Sequence, residues 1–223
     1  MKNEFFKLDC EVFNIANLYD EAGKRHNELL SEIENNGNAE MNLDEVFQLS
    51  DEIISKEYGK ELVSGFSSKA FATPIIDFES YEAMQNFIKN LKINDIEKSL
   101  NLELFDFMMN YDGNNVCDII DSIKKFEEKA IAENRVENVA NTLVTSSVAR
   151  YSLAYWNDRV QGGESLMRKG FWKKLFIGVA DAIGAAAGAV AGSATVIGGI
   201  AGGIVGGSAA SAGFAKAWDL FAE

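Results

Sequence analysis

The sequence predicts an all-α protein: an acidic bundle of about six helices followed by a glycine/alanine-rich, glycine-zipper helical hairpin. Three observations lead there. Apolar residues recur every three or four positions through most of the chain, and no segment sustains the period-two alternation of a half-buried strand. Hydrophobic residues make up 47% of the chain and Pro74 is its single proline, a composition that argues against disorder. Eleven of the 19 glycines fall within residues 178–213, most of them at helical spacing.

In the first helix, Val12, Ile15, Tyr19, Ala22, His26, Leu29 and Ile33 follow one another at intervals of three and four, the narrow stripe of a coiled-coil type of helix. Asn35-Asn36-Gly37-Asn38 ends it, since Gly and Asn accept left-handed conformations. Asn42 or Asp44 caps a second helix carrying Val46, Phe47, Ile53 and Ile54. Residues 59–73 carry no clear period, and Pro74 punctuates them. Two stripes follow, one of Tyr81, Met84, Phe87, Ile88 and Leu91, the other of Ile96, Leu100, Leu104, Phe105 and Met108. After a turn at residues 110–115, Val116, Ile119, Ile120, Ile123 and Phe126 mark a helix. Val136, Val139, Leu143, Val144, Val148, Tyr151 and Tyr155 mark the last and cleanest one. Six helices in some 160 residues can close around one core.

Charge divides the chain. Residues 1–170 hold 18 Lys/Arg against 31 Asp/Glu, whereas residues 171–223 hold three of each sign. The reading is therefore an acidic helical domain over 1–160, a glycine-containing linker over 161–170 and a hairpin over 171–223. A net charge of −13 repels phosphates, so no nucleic acid is expected as a partner. Lys7, Asp9 and Glu11 interrupt any apolar run near Met1, so no secretory signal is expected there. Synthesis in the cytoplasm follows, with membrane association or signal-independent export afterwards. Cys10 and Cys117 are then expected as reduced thiols.

Candidate chemistry in the acidic domain is thin. His26, the only histidine, lies on an apolar stripe and reads as a buried structural side chain. No Ser, His and carboxylate set stands out, and the two cysteines lack zinc-site spacing. Asn110, Asp112, Asn114, Asp118 and Asp121 fall at calcium-loop positions, but position six is Asn115 rather than glycine; a turn and an acidic helix start explain them as well. Glu127, Glu128 and Glu133 read as a solvated charged face. The expectation is a protein that is not an enzyme and uses no cofactor or metal.

The tail is more informative. Residues 182–215 carry no charge. Gly184, Gly188 and Gly192 repeat every four, and two interleaved series follow: Gly198, Gly202, Gly206 and Gly199, Gly203, Gly207. Residues four apart share a helix face, so each series makes a groove that another backbone can approach closely. Each internal glycine costs a water-exposed helix about 1 kcal/mol relative to alanine. Such helices need lipid or close packing around them. Residues 196–215 are long enough to cross about 30 Å of hydrocarbon. A break at Ser193-Ala194-Thr195 makes a hairpin, which brings Trp172, Lys173 and Lys174 near Lys216 and Trp218, residue types suited to one water–lipid boundary. The modest hydrophobicity and Asp181 make insertion marginal, as in a protein that is soluble first and inserts later.

The 171–223 segment resembles glycine-zipper segments, and its Lys173-Lys174 start and Gly/Ala body resemble the mature parts of small two-peptide bacteriocins. Gly162-Gly163 offers a double glycine of the kind that ends their leaders. The helix over Val148-Ala149-Arg150-Tyr151-Ser152-Leu153-Ala154-Tyr155-Trp156 is similar to uncharacterised bacterial proteins that pair such a segment with a Gly-rich tail. The bacteriocin resemblance implies toxin-like membrane permeabilisation, with Gly184, Gly188, Gly192, Gly198, Gly202 and Gly206 as packing positions. A lipid bilayer and a second copy joined through the glycine faces are the expected partners. The rival expectation is a soluble, non-catalytic interaction protein whose hairpin packs in its own core or in a homo-oligomer.

Overall fold

A computed structural model describes residues 10–38, 40–59, 67–69, 81–112 and 115–159, together with 181, 182, 184–186, 203, 206 and 207. The long helices are α1 (Glu21–Asn36), α2 (Leu43–Tyr58), α3 (Tyr81–Asn90), α4 (Asp95–Met109), α5 (Val116–Glu133) and α6 (Ala140–Arg159), with a 3₁₀ turn over Val136–Asn138. No strand occurs among the described residues, so the all-α expectation holds. The linker over 161–170, Pro74 and the Ser193–Thr195 break lie outside the described residues.

Caps set several boundaries. Asn42 accepts from the Glu45 amide at 3.1 Å while Glu45 accepts from the Asn42 amide at 2.7 Å, a reciprocal capping box that starts α2. Asn94 caps α4 through the Glu97 amide at 2.9 Å, and Asn115 caps α5 through the Cys117 amide at 3.0 Å. Asn115 thus has a structural task in the stretch compared with a calcium loop. Glu97 of α4 accepts from the Asn141 amide at 2.7 Å, which puts a carboxylate at the positive end of α6. Gly37 ends α1 in an extended conformation (φ −83°), whereas Gly59 after α2 does adopt positive φ, at 80°.

Among the described helices, α6 packs against α1, α4 and α5. Residues 142–150 are all buried, so this helix has neighbours on every side rather than one wet face. Small side chains make that possible. At Gly23 of α1 an added Cβ would stand 2.5 Å from the Ser147 carbonyl oxygen, so the two backbones meet through glycine and serine. The main apolar cluster joins Ile88 of α3, Phe105 and Met108 of α4, Ile119, Ile120 and Ile123 of α5, and Ala149 and Leu153 of α6. Ala182 from the tail belongs to the same cluster.

Several sequence expectations need correction. The helix expected from Val12 starts only at Glu21: residues 11–20 are a looped segment whose Asn14, Asn17 and Asp20 turn inward, leaving Ile15 exposed. Ile96, placed on an apolar stripe, is exposed at the first turn of α4. Cys10 and Cys117, expected as thiols, are joined in a disulfide with Cα atoms 5.6 Å apart, across 107 residues of sequence.

Candidate functional site

Two polar clusters lie inside the apolar frame, on either side of α6. In the first, the fully buried Arg150 guanidinium reaches two carboxylates on different elements. Its Nε and Nη2 donate to Glu127 Oε1 of α5 at 3.2 and 3.1 Å, and Nη2 donates to Asp20 Oδ1 at 2.5 Å. Nη1 donates to the Val12 carbonyl. Glu127, expected on a solvated face, is fully buried. It also accepts from Asn14 Nδ2 at 2.6 Å, Asn17 Nδ2 at 2.8 Å and Ser146 Oγ at 2.7 Å. Asp20 accepts from the Tyr151 hydroxyl at 2.8 Å. Burial and this hydrogen bond to the Asp20 carboxylate both push the Tyr151 phenol well above its usual range.

A buried pair needs these extra donors, because desolvation of two charges is repaid only when geometry is good and the other lone pairs are satisfied. The cluster meets that condition. It ties the 11–20 segment, α5 and α6 together.

The second cluster is where the tail meets the bundle. His26 of α1, Ser152 of α6 and Asp181 of the tail are all fully buried. Ser152 Oγ donates to Asp181 Oδ2, and the same oxygen lies 3.6 Å from His26 Nε2. Nδ1 of His26 hydrogen-bonds Asn27 Oδ1 at 3.0 Å. Burial pushes the imidazole down to about 4, with the Asn27 side chain and the Gly207 backbone acting in the opposite direction. The ring is therefore neutral at neutral pH. A nucleophile–base pair needs the hydroxyl directly on the imidazole. Here the order is hydroxyl, carboxylate, imidazole, a structural chain rather than an activated serine.

Of the glycines assigned to helix packing, Gly184, Gly203, Gly206 and Gly207 are described, helical and buried. A Cβ on Gly207 would stand 3.0 Å from His26 Cδ2, 3.0 Å from Val148 Cγ1 and 3.1 Å from the Asp181 carbonyl oxygen. Gly207 thus touches α1, α6 and the earlier tail segment at once. Asn141 Nδ2 donates to the Ala186 carbonyl at 3.1 Å. Gly188, Gly192, Gly198, Gly199 and Gly202, and the boundary residues Trp172, Lys173, Lys174, Lys216 and Trp218, lie outside the described residues. Among the described residues no group of three His, Cys, Asp or Glu side chains is placed to hold a metal, and no helix is long and apolar enough to cross a membrane.

The Arg150 cluster is not among the sequence expectations, although the sequence carries two signals of it. Arg150 is the only charge in residues 140–157, and a lone charge in an otherwise small and apolar helix needs a buried partner. Glu127 continues the Ile120, Ile123 series at helical spacing and so occupies the core face. No protein-family model, curated protein or solved structure matches the chain.

Proposed function

We propose that this is a membrane-active, bacteriocin-like or pore-forming type of protein, in which an acidic helical bundle carries a glycine-zipper hairpin in its core and transfers it to a bilayer. One observation supports this most. The tail residues described, Asp181, Ala182, Gly184, Ala185, Ala186, Gly203, Gly206 and Gly207, are all helical and buried, next to a helix that is itself buried. Storage suits an uncharged segment of 34 residues that would otherwise face water. Release is made affordable by composition, since Ala and Gly each bury little apolar area and leave little behind. In lipid the same glycine faces give close helix–helix packing. Acid favours transfer, because protonating some of the 31 carboxylates of residues 1–170 weakens repulsion from anionic lipid.

A second reading has its own support. The Ser152–Asp181 hydrogen bond and the Asn141–Ala186 bond are polar anchors. They suit a soluble, non-catalytic interaction protein whose tail never leaves, or pairs with a second copy.

Vesicle flotation of the full-length protein at pH 7.5 and 5.0, with dye leakage, separates the two. Gly207→Leu has no room where a Cβ already meets three neighbours, so it loosens the packed tail in either case. Storage and release predict wild-type flotation that rises at pH 5.0, and a Gly207→Leu variant that is less heat-stable but floats already at pH 7.5. Permanent packing predicts the same loss of heat stability, with flotation equal for the two proteins and unchanged between the two pH values, and with no dye leakage from either.

A further inference from the structure

We propose that residues 13–18 form a lipid-contact loop that seats Phe13, Ile15 and Leu18 in the headgroup region of a zwitterionic bilayer. Among the described residues these three are 49, 86 and 74% exposed, while their neighbours Asn14, Asn17 and Asp20 are buried. The segment is inside out relative to an ordinary soluble loop, which turns its apolar residues inward. Its backbone is held that way by its own side chains. Asn14 Oδ1 accepts from the Ala16 amide at 3.1 Å, Asn17 Oδ1 from the Tyr19 amide at 2.8 Å, and Asp20 Oδ1 from the Asn14 amide at 3.1 Å. Underneath, Asn14 and Asn17 are fastened to Glu127, Asp20 to Arg150, and Cys10 to the first turn of α5 by the disulfide. The apolar side chains are thus presented outward on a fastened base, with the ordering cost of the loop already met in the free protein.

Size, shape and charge choose the occupant. Three side chains of this kind offer roughly 400 Å² even when wholly covered, about half of the 800 Å² per partner in a stable protein–protein interface. Ile15 and Leu18 are so exposed that they project as a wedge, and a bilayer accepts a wedge without a matching cavity. A net charge of −13 disfavours an anionic surface. Exposed Glu11 and Glu21 bracket the loop, and the Lys124 ammonium beside it is spent on the Glu11 carbonyl, so an electrically neutral lipid surface fits best. This contact shares only the bilayer with the tail reading and needs no release of the tail.

The test uses full-length protein and phosphatidylcholine vesicles at pH 7.5. In Ile15→Trp, emission in excess of the three native tryptophans reports the loop alone. It is expected to shift to the blue on adding vesicles and to be quenched by brominated lipid. The Ile15→Ser/Leu18→Ser variant, which changes the two most exposed of the three side chains, is expected to partition more than about tenfold less with little change in Tm. Emission unmoved by vesicles while the wild type floats overturns the loop proposal and leaves the tail reading standing. A blue shift that follows protein concentration without lipid overturns it in favour of a second copy. A loop that inserts while exchange of α6 and of the tail at pH 5.0 is unchanged by vesicles upholds it and removes the tail reading.

Discussion

Replacing Arg150 with methionine tests the organisation of the bundle most severely. Methionine keeps much of the apolar stem and removes the guanidinium. Glu127 Oε1 then loses donors at 3.1 and 3.2 Å, Asp20 Oδ1 loses one at 2.5 Å, and the Val12 carbonyl loses its partner. Two carboxylates remain in a site where Glu127 has no exposure at all. Breaking a buried pair from one side costs about 3–5 kcal/mol, because the surviving charge stays desolvated. For a chain of this size that corresponds to a Tm lower by roughly 6–11 °C. Urea unfolding followed by circular dichroism at 222 nm supplies the free energy. Glu127→Gln/Arg150→Met should cost less than the two single changes added together, by about 1–2 kcal/mol, since it removes charge from both sides. Lys129→Ala breaks an exposed pair with Glu103 and should leave the transition where it was. An Arg150→Met loss under about 1 kcal/mol, or strict additivity in the double variant, would mean that the buried pair does not hold the bundle together.

Other outcomes follow from the same contacts. Gly23→Ala forces a Cβ to within 2.5 Å of the Ser147 carbonyl oxygen and of Tyr151 Cδ2, so thermal unfolding should show a loss of about 3 kcal/mol by overpacking. His26 has a folded pKa of about 4 against 6.5 unfolded, so the unfolded chain binds the extra proton between those values. The stability it contributes is present above pH 6.5 and lost as pH falls through 4, roughly 3 kcal/mol in all. The non-titrating His26→Gln should flatten the wild-type decline over that interval, and parallel curves would contradict this. Reducing the Cys10–Cys117 bond with dithiothreitol opens a cross-link spanning 107 residues; the urea midpoint should fall by the equivalent of about 4 kcal/mol.

Much of the bundle was legible because its helices carry one signal, apolar residues at three- and four-residue spacing, backed by asparagine caps. The stripes over 81–91 and 96–108 match buried or half-buried faces of α3 and α4, except at Ile96. The same signal misled over residues 12–20. Val12, Ile15 and Tyr19 keep helical spacing, yet Asn14, Asn17 and Asp20 run at spacing three beside them, and the inward pull of the Glu127–Arg150 pair decided which series faces the core. Several buried polar partners come from segments more than a hundred residues apart, such as Asn14 with Glu127 and Asp20 with Arg150, and local pattern carries no information about them. The disulfide is hidden for the same reason. His26 was legible as buried from its stripe, but not its neighbours Ser152 and Asp181, which only packing brings together. For the tail, glycine spacing indicated close backbone approach, and Gly207 makes one; which surface receives the remaining glycines is not encoded in their spacing, because lipid and protein reward the same small faces.

Hydrogen exchange of the full-length protein at pH 5.0, with and without vesicles, reads out directly whether the bundle gives up its tail. Cutting the tail away is a poorer test, since Ala182 is part of the main core. If the bundle stores the tail and gives it up to a bilayer, vesicles will lower the protection of α6 amides, above all near Ser147–Ser152, while amides of the tail around Asp181–Ala186 and Gly203–Gly207 gain protection. Unchanged exchange in both segments, with vesicles present in excess, would contradict storage and release and leave a tail that is permanently part of the fold.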